Sequence, residues 1–286
     1  MISTTNDPNV LNDWLTVGPA ARLAGTSRQR PYVTRLIGAQ ACVWNAADGT
    51  AAATLDGAPV RVQVRYGYLW ICAAGTPKPL FDFAEFDEPG RIVADCDGIG
   101  VHVSGLRMIE NFLDMGHFPF VHASYLGEVP HTEVAPYKVG IDPGTDEIRA
   151  TECYFVQPKS SSSATAALEV QYRYRVMQPF TAMLYKSSFA RPGEMDAIAL
   201  LVQPVDEERI IAYTLLAYVD DGSSARDLVA FQHTIFGQDK PILENQVPKR
   251  LPLRPGSEVP ARCDAASIAY RRWLQARDMR YGAVAD

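Results

Sequence analysis

The chain has 286 residues, 47% of them hydrophobic and 21% charged, and a net charge of −6. That length can bury one large core or two smaller ones, and an acidic balance without any Lys/Arg-rich run excludes a binder of nucleic-acid backbones. No stretch approaches the roughly 20 apolar residues of a membrane helix, and the first residues lack the basic and apolar segments of a secretory leader.

Five widely spaced cysteines, none at C-x-x-C spacing, point to free thiols in a cytoplasmic protein. They argue against a disulfide scaffold or a cysteine-rich zinc site. In chain order, the first hundred residues read as β-rich. Strands are expected over 31–37, 41–45, 60–66 and 68–72, with Asp48-Gly49 and Asp56-Gly57 as turns between them. Residues 60–65 alternate with a period of two, the mark of a half-buried strand. Pro and Gly punctuate residues 75–90, which places a domain boundary between about 75 and 100.

A helix is expected over 104–121, capped by Ser104 and ended or bent by Pro119. Long β-type runs follow at 147–157, 166–177, 180–189, 197–205 and 209–219, with a polar loop at 159–163. Together they imply an antiparallel sheet of about five strands or more. Further helices are expected near 224–246 and 265–277. The fold class is α+β: a β domain over residues 1–95, then a domain over 96–286 whose helices pack on one antiparallel sheet.

The chemistry concentrates between Glu110 and His122. Two of the five histidines, His117 and His122, lie five residues apart, and Asp114 stands three before the first. On a continuous helix Asp114 and His117 would share a face, whereas His117 and His122 would not, and the bend at Pro119 could turn both rings toward one point. Two imidazoles and a distant carboxylate form the facial triad of non-haem iron(II) sites, which leaves coordination positions open for oxygen. The plainer reading is core or surface histidines on an amphipathic helix. His102, His131 and His233 are isolated and read as structural or surface residues, with His131 kept as a possible pocket residue. Tyr172, Tyr174 and Phe155 are candidates for a cavity wall or for core packing. No complete dinucleotide fingerprint, P-loop or nucleophile elbow is present.

The pattern Asn111-x-x-Asp114-x-x-His117-x-x-x-x-His122 resembles the iron-binding signature of Rieske-type aromatic-ring-hydroxylating oxygenases. The resemblance implies a helix-grip catalytic domain, His117 and His122 as ligands of a mononuclear Fe(II), and Asp114, with Asn111, in the route of electron delivery from a neighbouring Rieske histidine. Residues 236–246 resemble the segment that carries the third ligand, which makes Asp239 the carboxylate, with Glu244 as its nearest rival. Residues 264–274 resemble the family's C-terminal helix.

One departure is as informative. A Rieske [2Fe–2S] cluster takes two histidines as well as two cysteines, and the family carries them as C-x-H and C-x-x-H. Here no histidine precedes His102, and neither Cys42 nor Cys72 is followed by that pattern. The first domain is therefore expected to be a cluster-free relic. In this the chain is similar to a small group of cluster-less N-demethylase subunits, the methylxanthine N7-demethylase components among them. The resemblance implies hydroxylation of an N-methyl group with O2, electrons from a Rieske-bearing reductase or partner subunit fed by NAD(P)H, and a homotrimer or hetero-hexamer. A non-catalytic subunit of a hetero-oligomer and a ligand-binding protein without redox chemistry stand as alternatives.

Overall fold

The computed structural model describes residues 5–75, 77–159, 164 and 166–284. The expected polar loop at 159–163 lies, from 160 on, outside the described residues, as do the first four residues considered for a leader. After a short helix α1 (Pro8–Leu11), β1 (Leu15–Pro19), β2 (Tyr32–Leu36), β3 (Ala39–Asn45), β4 (Ala51–Leu55), β5 (Ala58–Arg65) and β6 (Tyr68–Cys72) form an antiparallel sheet in the order β1-β6-β5-β4-β3-β2. The short α2 (Ala84–Asp87) leads into β7 (Arg91–Val101). Helices α3 (Gly105–Leu113) and α4 (Phe118–Val121) follow, then β8 (Lys138–Ile141), β9 (Ile148–Gln157), β10 (Leu168–Gln178), β11 (Thr181–Ser187), β12 (Met195–Pro204) and β13 (Ile210–Val219). α5 (Ala225–Glu244) and α6 (Ala265–Gln275) complete the chain, and the second sheet runs β7-β13-β12-β11-β10-β9-β8.

The fold is thus α+β, with two strands in each sheet beyond those expected. β4 reads Ala-Ala-Ala-Thr-Leu and β1 holds Gly18 and Pro19, residue types that carry little strand signal. β7 is interrupted by Asp95, Asp97, Gly98 and Gly100. Its pairing with β13 slips between Tyr213 and Leu215, where Asp97 adopts φ +58°. A Cβ on Gly98 would stand 2.5 Å from the Tyr213 ring, so the bulge lets an aromatic side chain cross the strand. Because β7 belongs to the second sheet from Arg91 onward, a cut at residue 95 would run through a strand; the two sheets part between Cys72 and Arg91.

β12 and β13 are buried along nearly their whole length because the sheet is covered on both faces at these central strands. Met183, Ala197, Ala199, Leu201, Leu215 and Ala217 pack against Tyr66, Trp70, Phe81 and Phe83 of the first unit. Ile198, Leu200, Val202 and Leu216, on the alternate face, join the core with α3 and α5. Burial of this much apolar surface on both faces, at about 25 cal/mol per Å2, is what ties the two sheets together. Ile37 N and Gly38 N add hydrogen bonds of 2.7 Å to Pro204 O and Val205 O.

Asp13 is half-buried where the N-terminal segment meets the second sheet, with its Oδ2 out of contact with solvent. Gln178 Nε2 donates to its Oδ1, while Asp13 Oδ2 and Gln178 Oε1 have no partner among the described residues. Burial drives the carboxyl up from 3.8 to about 7, against the opposing effects of the Trp14 N–H, Gln178 and Lys78. A proton on Oδ2 would satisfy both orphaned oxygens as an acid–amide pair. Since the folded pKa is raised, the associated stability is full below pH 3.8 and is lost as pH rises toward 7. Its ceiling is on the order of 4 kcal/mol. Asp13→Asn, which supplies an N–H in place of the proton, is expected to flatten this dependence and to raise the melting temperature over wild type at pH 8 more than at pH 5. Urea or thermal melts at the two pH values check it, and an unchanged pH slope in the variant would contradict it.

Candidate metal centre

Ser104 caps α3, its hydroxyl accepting from Arg107 N at 3.3 Å, and Leu106, Met108, Ile109 and Leu113 are buried on the helix. The helix does not run on to Pro119 as expected. It stops at Asp114, whose ψ of 124° is extended, and a new turn begins after His117 with Pro119 in its first positions. A proline there lacks only an N–H that would have no helical partner, so it starts α4 rather than breaking a longer helix. The expected shared helical face of Asp114 and His117 is replaced by a break that curls the chain back. Asp114 Oδ1 accepts from Gly116 N at 2.7 Å, and Oδ2 lies 3.0 Å from His117 Nδ1. The curl is tight: a Cβ on Gly116 would stand 2.9 Å from Cys263 Sγ.

α5 brings the carboxylate. Leu228, Ile235, Asp239 and Leu243 are buried on one face of it, so Asp239 occupies an apolar stripe where an isolated charge would be costly. Its partners are the two imidazoles. His117 Nε2 and His122 Nε2 are 3.1 Å apart, and Asp239 Oδ1 lies 3.3 Å from the first and 3.2 Å from the second. These three are the one group of metal-capable side chains that converges among the described residues. Three mutually perpendicular bonds of about 2.2 Å end about 3.1 Å apart, so the triangle has the edges of one face of an octahedron.

Proton accounting shows that this triangle fits a cation. His117 Nδ1 faces the Asp114 carboxylate, and His122 Nδ1 faces Gln238 Oε1 at 2.8 Å. Both partners are acceptors, so in the neutral rings each proton sits on Nδ1 and each Nε2 keeps its lone pair. Two lone pairs and a carboxylate oxygen then point at one another with no donor between them. Without a metal ion a proton fills the gap. Burial disfavours charge on His117, but Asp114 and Asp239 outweigh it and push the ring up to about 9. Burial likewise raises the Asp239 carboxyl, and its hydrogen bonds to His117 and His122 bring it below the ordinary value.

Asn111 Nδ2 is 3.4 Å from Asp239 Oδ1, and Asn111 and His117 form a partition one residue thick. On its inner side is a cavity of about 80 Å3 walled by Phe112, Phe118, Tyr172, Tyr174, Tyr218 and Phe236, together with the three converging residues. On its outer side is a groove of about 370 Å3 that reaches Asp114 between α3 and the C-terminal segment. The rings interlock edge to face, Phe112–Tyr174 and Tyr172–Tyr174 with centroids 5.9 Å apart, while Phe155 packs behind Phe118 at 5.3 Å.

Glu244 instead takes Lys240 as its ion-pair partner and accepts from His102 N. His131 and His102 are exposed, and His233 Nε2 donates to Cys96 O at 2.6 Å, so none of these enters the site. Sequence reasoning missed Gln238, which orients His122; its position beside Asp239 was the available signal. It also missed Lys186 and Thr214 on the cavity wall, which only strand pairing brings there. No helix among the described residues is long and apolar enough to cross a membrane.

Residues 101–278 match the family described as the vanillate O-demethylase oxygenase C-terminal domain. A probable methylxanthine N7-demethylase of Pseudomonas sp. (strain TJI-51) is 48% identical over 276 residues, 96% of each chain. The methylxanthine N1-demethylase of Pseudomonas putida is 28% identical over 74% of this chain and 59% of its own length. In fold, the chain is similar to the structure of that N1-demethylase from Pseudomonas putida CBB5 with caffeine, at a TM-score of 0.77 and 20% identity over 95% of this chain and 92% of that one. Dicamba monooxygenase bound to 3,6-dichlorosalicylic acid gives a TM-score of 0.74 at 15% identity, over 94% of this chain and 97% of that one.

Proposed function

Since the chain belongs to the Rieske-type oxygenase family, with a C-terminal domain of the vanillate O-demethylase kind, we propose that it is an oxygenase subunit that removes an N-methyl group from a methylxanthine or related heterocycle. The observation that carries this reading is the convergence of His117, His122 and Asp239 on the wall of an aromatic cavity. A non-catalytic subunit would have no use for three lone pairs aimed at one point.

The donor set suits iron(II): two neutral imidazoles hold a borderline ion, and one carboxylate offsets part of its charge without filling its coordination sphere. Bound there, iron(II) supplies the redox chemistry by which O2, two electrons and two protons convert N–CH3 to N–CH2OH and water. The protein residues set the conditions. Asp114 and Gln238 hold the Nδ1 protons and so fix both rings with Nε2 inward. The interlocked rings of Phe112, Phe118, Tyr172 and Tyr174 make a slot for a flat heterocycle and exclude water, and they direct a ring methyl toward the triad. The hydroxymethyl product then loses formaldehyde as its C–N bond breaks, leaving N–H.

The electrons come from a separate Rieske-bearing partner in this reading, because the sequence before His102 lacks the two histidines a cluster needs. The first sheet is then a cluster-free remnant kept for packing or docking, the second domain is catalytic, and trimeric or hetero-hexameric assembly would follow the family pattern. The test is turnover of 7-methylxanthine by protein reconstituted with Fe(II), NADH and a Rieske reductase. About one iron per chain and formaldehyde equimolar with the demethylated product are expected, with none formed when the reductase is omitted. Formaldehyde at the no-enzyme level across a panel of N-methylxanthines would sink the proposal.

A further inference from the structure

The floor of the inner cavity is the face of the second sheet that packs toward α3 and α5, and strand register sets its side chains. Leu184 of β11 lies opposite Tyr174 of β10 and Ile198 of β12, and Leu200 of β12 lies opposite Thr214 of β13. Tyr218 shares the face of Thr214, because alternate residues of a strand point the same way. All six line the cavity. The floor is thus an aliphatic platform with Tyr174 at one side and, three strands away on β13, Thr214 and Tyr218 at the other.

The hydroxyls of these three residues share a property. Tyr174, Thr214 and Tyr218 are only 2%, 5% and 6% exposed, and none of the three hydroxyls has a hydrogen-bond partner among the described residues. Unpartnered atoms that are wholly occluded do occur in this protein, as at Tyr281 Oη, but these three oxygens are not among them. They therefore keep open surface, and the open space that these buried residues adjoin is the cavity. Tyr172 differs: its hydroxyl is engaged by Gln157 Nε2 at 2.7 Å. A buried hydroxyl that has lost water and gained no partner is unfavourable, and each of these can donate or accept. A flat ring with polar atoms along its edges completes them; one with bare hydrocarbon edges leaves them unmatched.

We propose that the Tyr174, Thr214 and Tyr218 hydroxyls are the hydrogen-bonding contacts of the substrate slot. They select a heterocycle with polar atoms on opposite edges, the chemistry of a cyclic dione such as a xanthine, over an N-methylated ring without them. This takes its substrate class from the demethylase reading above and adds the residues by which that substrate is recognised.

The experiment is calorimetric binding of 7-methylxanthine and of 7-methylpurine, which keeps the methyl and both rings but lacks the two oxygens, to Fe(II)-loaded protein held without O2. Wild type is expected to prefer the xanthine by at least about 30-fold. Tyr174→Phe, Thr214→Val and Tyr218→Phe are each expected to weaken xanthine binding by about 3- to 30-fold while purine binding holds. The triple variant is expected to bring the preference to about threefold or less. Replacing an unpartnered hydroxyl by an apolar group of the same shape leaves the fold as stable or more so, so each melting temperature should equal or exceed that of wild type, whereas loss of a hydroxyl that serves the fold would lower it. No preference in wild type, the full preference surviving in the triple variant, or a lowered melting temperature in all three single variants would overturn the proposal. Binding needs no electrons, so formaldehyde release with the reductase is scored separately: the binding preference without any release would defeat the demethylase reading and leave this assignment of contacts standing.

Discussion

Asp239→Ala is expected to yield a folded protein with little or no bound iron and turnover lowered by at least about 10³-fold, on the scale of losing an essential catalytic group. Asp239 is the one anionic donor of the three, and without it two neutral imidazoles must hold a dication with no compensating charge. The fold should survive, because among the described residues the Asp239 side chain makes its polar contacts only with His117, His122 and Asn111, and an alanine in the buried stripe of α5 removes a charge from an apolar setting. His117→Ala should behave alike. Iron per chain by plasma spectrometry and far-ultraviolet circular dichroism measure the two halves of the expectation. A folded Asp239→Ala chain that retains about one iron would mean that another carboxylate serves.

Asp114→Asn is expected to separate metal binding from electron supply. Among the described residues Asp114 touches the triad only through His117 Nδ1, and it lies on the outer groove while the proposed substrate slot lies behind the partition of Asn111 and His117. Loss of such an outer partner costs about 10- to 100-fold in metal affinity, so at high Fe(II) the site should still fill. Steady-state turnover with the reductase should fall by more than about 100-fold, whereas iron-loaded protein supplied with hydrogen peroxide, which converts N–CH3 to N–CH2OH and water without added electrons, should still form product. If both assays fall together, Asp114 serves the chemistry at the metal; if neither falls, the electrons enter elsewhere.

How much of this could be read in advance varied with the kind of signal. The ligand types came from a short local pattern, since Asp114, His117 and His122 stand within nine residues. The bend was anticipated at the wrong residue, because proline is a weak guide when it can also open a helix; the actual break needed Asp114 to turn extended and Gly116 to pass close to Cys263. Asp239 carried a second clue beyond the resemblance: a carboxylate four residues from Ile235 and four from Leu243, inside an apolar stripe, needs a partner. β1, β4, β7 and β8 escaped notice because alanine, glycine, aspartate and short length leave no alternation to detect.

By itself, then, the sequence determined which donors are available, that no histidine precedes His102, and that long β runs flank the helices. These follow from residue identity and short spacing. The tertiary structure alone decided that a carboxylate 117 residues after His122 joins it at 3.2 Å, that β12 and β13 are buried on both faces, and that Lys186 shares a cavity with the triad. Each of those depends on strand register and helix docking, where energies summed over many distant contacts choose the arrangement and no local stretch of chain records the choice.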